Sequence, residues 1–75
     1  MREYLVIYEK ADGGGWGAYT PDIDGVIALG KTRQEVEERM AEALTACLEF
    51  MHEKGEPIPE PRTEAGRVAA QVPAS

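Results

Sequence analysis

One long amphipathic segment, bracketed by its own start and stop signals, constrains this chain more than anything else in it. Thr32 is a good N-cap, and Glu35 stands three residues later to complete a capping box. Gly55 offers a left-handed stop just past Lys54. Between them run about 22 residues, a helix of ~33 Å. At helical spacing Val36, Met40, Ala43, Leu44, Cys47 and Met51 share an arc of about 100°, and Leu48 and Phe50 widen it on either side. Such a stripe must be laid on an apolar surface. The rest of the chain reads as strands and turns, so that surface is a sheet.

The strands come first in the chain. Glu3 to Lys10 alternates as strand one, with Tyr4, Val6 and Tyr8 on one face and Leu5 and Ile7 on the other. Ala11 to Gly15 is a turn, where Asp12, Gly13 and Gly14 tolerate positive φ. Strand two is Trp16 to Thr20, ended by Pro21, which has no N–H to give a ladder. Asp22, Asp24 and Gly25 shape the next turn, and Val26 to Leu29 is strand three. After the helix, Pro57, Pro59 and Pro61 stiffen residues 56–61 into an extended course, with Ile58 as its apolar anchor. Arg67 to Val72 reads as a short fourth strand, ended by Pro73. The fold expected is α+β: a small antiparallel β-sheet with one long helix packed on one face, in β-β-β-α-β order. It forms a single domain over 1–75 with its core at about 3–58.

Composition narrows the function. A chain of 75 residues buries only about 60% of its unfolded surface, so its core is small. One cysteine allows no internal disulfide, which points to a reducing, cytoplasmic home. No apolar run reaches the ~20 residues of a membrane span, and no signal peptide opens the chain. The net charge is -6. Residues 1–31 hold five acids and three bases, and residues 32–75 hold nine acids and five bases, so the helix and tail carry most of the excess. That surface is unsuited to nucleic acid, which needs clustered Lys and Arg. It suits a basic partner, and it equally serves plain solubility.

No set of residues amounts to a catalytic, metal or cofactor site. Gly13-Gly14-Gly15 lacks the following Lys-Ser/Thr and the helix of a phosphate loop. Asp22 and Asp24 are too few oxygen ligands for a metal and read as turn formers. His52 has Glu49 and Glu53 near it, but no nucleophile or pocket accompanies them. Cys47, mid-stripe, reads as a small buried hydrophobe. Two features instead point to binding. Glu35, Glu38, Glu42, Glu49 and Glu53 form an acidic ridge opposite the apolar stripe, with like-charge pairs at i,i+4 that are mildly destabilising. One helix covers one sheet face, yet strands one and three are apolar on both, and Trp16 and Tyr19 lie on opposite faces of strand two. An uncovered face of that kind marks an interface, so a homodimer or higher oligomer is expected. The candidate partner-binding residues are therefore Tyr4, Tyr8, Trp16, Tyr19, Glu35, Glu38, Glu42 and Glu49.

Aromatic-x-Ala at Trp16-Gly17-Ala18, Pro21-Asp22-Ile23-Asp24-Gly25, Gly30-Lys31-Thr32-Arg33-Gln34-Glu35, Glu42-Ala43-Leu44 and Ile58-Pro59-Glu60-Pro61 occur together and in this order. Over residues 3–61 the chain resembles the N-terminal domain of the HicB family of antitoxins. The resemblance implies a partner, a small basic HicA-like toxin that cleaves mRNA and is neutralised by protein–protein contact. It implies no enzymatic activity, since the fold is likened to a ribonuclease H core without its carboxylates; here strand one has Glu3 and Glu9 near its ends and no central acid. Full-length members carry a C-terminal DNA-binding module. Only 20 residues follow Gly55, four of them proline, so none is expected within this chain. The alternative is a solitary, oligomeric HicB-like structural or small-ligand-binding module without a toxin partner, using the aromatic residues Tyr4, Tyr8 and Trp16 as its surface. A vestigial nuclease depending on Asp22 and Asp24 is a third reading, for which no activity is expected.

Overall fold

A computed structural model of the chain describes residues 2–74, so the two ends of the expected domain, Met1 and Ser75, lie outside the described residues. The elements are β1 (Ile7–Lys10), β2 (Trp16–Tyr19), β3 (Ile27–Gly30) and α1 (Arg33–Lys54). The strands form one antiparallel sheet in the order β1-β2-β3. Ile7 pairs with Tyr19 and Tyr19 with Ile27; Tyr8 pairs with Ala18 and Ala18 with Ala28. The rows alternate between faces. Tyr8, Ala18 and Ala28 point towards the helix, and Ile7, Tyr19 and Ile27 point away.

Two alanines in the middle of the inner face let the helix come close. Ala18 and Ala28 are buried beneath Val36 and Met40, and Ile23 and Val26 from the β2–β3 turn close the same core. Val36 and Met40 are 0% and 1% exposed. Full burial of side chains of this size contributes about 1.5–3 kcal/mol each. The close approach also fixes Gly30. A Cβ there would sit 2.8 Å from Glu35 Oε1 and 3.0 Å from Val36 Cγ2, so a side chain at this position would displace the Glu35 carboxylate and press on Val36.

Both helix signals operate, one with a changed partner. Thr32 Oγ1 accepts from Glu35 N–H at 3.1 Å. In return the Glu35 carboxylate accepts from Lys31 N–H at 3.2 Å, one residue earlier than the usual capping box. At the other end Gly55 adopts φ 73°, while Gly55 N–H donates to His52 C=O and Glu56 N–H to Met51 C=O. These are the two bonds of a Schellman stop.

The strands depart from the expected spans in three places. β1 begins at Ile7, not Glu3. The register sets Leu5 opposite Pro21, which has no N–H, and the Thr20 hydroxyl donates to Leu5 C=O at 2.8 Å in its place. The ladder therefore stops, and β2 ends at Tyr19. β3 runs Ile27–Gly30, one residue later than expected, because β2 ends at Tyr19, the partner of Ile27, and leaves Val26 outside the ladder. Residues 67–72 form no strand within the described chain, so the order there is β-β-β-α, not β-β-β-α-β. Val68 and Val72 are 91% and 87% exposed, and a lone extended segment has no partner for its backbone groups.

Candidate partner-binding surfaces

The eight candidate residues fall on three separate parts of the molecule. Tyr4, Tyr8 and Trp16 are half-buried and pack against the core from the helix side of the sheet. Tyr8 lies under the Arg33 guanidinium, 4.5 Å from ring centre to Cζ. The Tyr4 hydroxyl donates to Pro59 C=O at 2.6 Å. Tyr4 thus holds the tail and Tyr8 the helix start, and with all three rings half-buried they do not form the open aromatic face expected of a small-ligand module.

Tyr19 belongs to the opposite side. It stands with Ile27 and Leu29, which are 67% and 68% exposed, on the sheet face that no helix covers. Gly17 is the register partner of Leu29, and Leu29 folds over it: a Cβ on Gly17 would meet Leu29 Cδ2 at 3.1 Å. The result is a smooth apolar patch. Alternation made this face legible in the sequence, and the pair Ala18 and Ala28 signals which face must be the inner one.

The glutamates are the third surface. Glu35 is occupied locally: it accepts from Lys31 N–H and pairs with Arg39 at 3.2 Å. Glu37 pairs with Arg33 at 3.7 Å. Among the described residues Glu38, Glu42, Glu49 and Glu53 have no ion pair, and all four are exposed. At 100° per residue they lie within one narrow strip. Shallow depressions beside Thr45, Ala46, Leu48 and His52 run along it. Four like charges in a row repel each other mildly, and an approaching cation relieves that repulsion.

Sequence reasoning missed the role of Asp22. Its carboxylate accepts from Arg62 N–H at 3.0 Å, Thr63 N–H at 3.1 Å and the Thr63 hydroxyl at 2.5 Å. The Thr63 hydroxyl, then the Arg62 amide, hold this carboxyl below the usual carboxylate range. Asp22 is thus a clamp on the tail, 40 residues away in sequence. Among the described residues no group of His, Cys, Asp and Glu could hold a metal ion, and no helix is long and apolar enough to cross a membrane.

The family model described as HicB-like antitoxin of bacterial toxin-antitoxin system matches residues 4–72. Antitoxin HicB 2 of Photorhabdus laumondii is 36% identical over 72 residues, which is 96% of this chain and 50% of that protein. The crystal structure of the N-terminal domain of Burkholderia pseudomallei antitoxin HicB superposes with a TM-score of 0.66 at 32% identity, over 71% of this chain and 62% of that one. The chain therefore spans about half the length of the curated relative it matches.

Proposed function

Since the chain belongs to the HicB-like antitoxin family, we propose that it binds and neutralises a small basic HicA-like mRNA-cleaving toxin through the acidic strip of α1. One observation carries the reading: Glu38, Glu42 and Glu49 are exposed, aligned and without a cation of their own. Repulsion within the strip weakens the isolated helix by a few tenths of a kcal/mol per clash. A basic partner turns that cost into affinity, and complementary charge speeds encounter as well. The action is by binding and not by catalysis, and its setting is the cytoplasm, where mRNA is the toxin's substrate.

The uncovered patch of Tyr19, Ile27 and Leu29 supports self-association as a second property. An apolar face on the side away from the helix is free to pack on another copy while the glutamate strip stays open. In this reading the protein acts as a homodimer or higher oligomer whose copies each present one strip.

The test is a pull-down of the tagged chain from its native cells at low and high salt, with mass spectrometry of what is retained. The expected result is one small basic protein, released at high salt and toxic when expressed alone. Recovery of the chain by itself at both salt concentrations would sink the toxin reading and leave only the oligomer.

A further inference from the structure

Two strand expectations fail in the single chain, and each supplies what the other lacks. Glu3 to Val6 alternates like a strand but has no ladder. Residues 67–72 alternate like a strand but have no sheet.

The geometry around β1 shows an open edge. Leu5 C=O faces β2, where Thr20 reaches it. By backbone alternation the groups of Val6, Tyr8 and Lys10 then point to the outer side. Among the described residues no backbone hydrogen bond reaches that side. The opposite edge is different. Arg39 Nη1 donates to Leu29 C=O at 2.6 Å and so plugs β3 against strand addition. The helix lies mainly across β3 and β2 and reaches β1 through Arg33 over the Tyr8 ring, on the sheet face and not along the outer edge of β1.

The tail is built to leave its own body. It is tied down at Pro59 by Tyr4 and at Arg62 and Thr63 by Asp22, and beyond that point it carries Val68 and Val72 bare into solvent. The Cα radius of gyration is 15.3 Å. A compact chain of this length has one of about 11 Å. The longest dimension is 55 Å against 27 and 18 Å for the others. In an extended chain Val68, Ala70 and Val72 share one face and Arg67, Ala69 and Gln71 the other, the pattern of a half-buried strand. From Ala65 to Ala74 the chain has one base and no acid, so this segment approaches a second copy of a -6 protein without like-charge repulsion.

We propose that Arg67–Val72 is an exchange arm that adds as a strand to the open edge of β1 in a second copy of this chain. Its six residues match the six of Leu5–Lys10 in length, roughly 20 Å. The added strand supplies backbone partners for Val6 and Tyr8, and the exchange is reciprocal, so a twofold dimer closes with both arms used. The proposal rests on the self-association suggested above but not on toxin binding, and it places the contact at the sheet edge as well as the apolar face.

The experiment uses the full chain alone, by sedimentation equilibrium and amide exchange. Wild type is compared with Ala70→Pro, which interrupts the added ladder, and with Val68→Asp/Val72→Asp, which removes its apolar face; both changes lie outside the core. Two chains per particle are expected for wild type, with at least tenfold weaker association for both variants. Val6 and Tyr8 amides are expected to be protected at least tenfold in wild type and to lose that protection in the variants. A monomeric wild type overturns self-association and the arm together. A dimer unchanged by either variant, or one in which Val6 and Tyr8 amides exchange freely, overturns the arm alone.

Discussion

Replacing Met40 with alanine tests how the helix is held on the sheet. Met40 is 1% exposed and sits over Ala18 and Ala28, two side chains too small to follow the missing atoms inward. The site cannot collapse easily, so the change combines lost transfer energy with an unfilled cavity. Substitutions of this kind cost about 2–5 kcal/mol. We expect about 3 kcal/mol, because the cavity lies where the core is only two layers thick. A domain of this length has a total stability of about 4–11 kcal/mol. The loss is then a large share of the whole and lowers Tm by about 12–24 °C. Phe50→Ala is the control: that ring is 55% exposed beneath Lys54, and its loss should cost about 1 kcal/mol or less. Urea denaturation followed by far-UV circular dichroism reads both at one fixed protein concentration. A Met40→Ala loss below 1 kcal/mol, or one no larger than that of Phe50→Ala, would refute the packing described for α1.

Three further outcomes follow from local geometry. Gly55→Ala forces a side chain into a left-handed position and should cost about 1 kcal/mol, read in the same denaturation assay. Thr32→Ala removes the N-cap acceptor and should cost about 1 kcal/mol, whereas Thr32→Ser should be nearly neutral. Asp22 binds the tail as a carboxylate and is held below the ordinary range, so its contribution is present above about pH 4 and is lost as pH falls through its lowered value. Protection of the Arg62 and Thr63 amides, taken relative to their intrinsic exchange rates at each pH, should therefore fall on acidification, and Asp22→Asn should show the low protection already at neutral pH while α1 is unaffected.

The helix was legible because its signals are local: Thr32, Glu35 and Gly55 lie within a turn of the ends they set, and the apolar stripe repeats along a single segment. The sheet was legible in number and order but not in extent. The length of β1 depends on Pro21 standing opposite Leu5, which is a property of register and not of either strand by itself. The candidate surface divided for a similar reason. Trp16 and Tyr19 were separable by alternation, but Tyr8 and Trp16 could be placed beneath the helix only once Ala18 and Ala28 were seen as the face that admits it. Nothing near Asp22 in the sequence marks Arg62 and Thr63 as its partners. Its side-chain oxygens are as well suited to its own turn, and the choice between the two is made by tertiary structure.

Inhibition of RNA cleavage measures most directly the proposed neutralisation of a basic toxin by the glutamate strip of α1. A HicA-like toxin is titrated with the wild-type chain and with Glu38→Lys/Glu42→Lys/Glu49→Lys, whose stability is first shown to match. Wild type is expected to silence cleavage at near-equal molar amounts. The reversed strip meets the toxin with like charge and should need at least tenfold more protein, a gap that narrows as salt rises. Cleavage untouched by wild type, or silenced equally well by the reversed strip, would contradict the account.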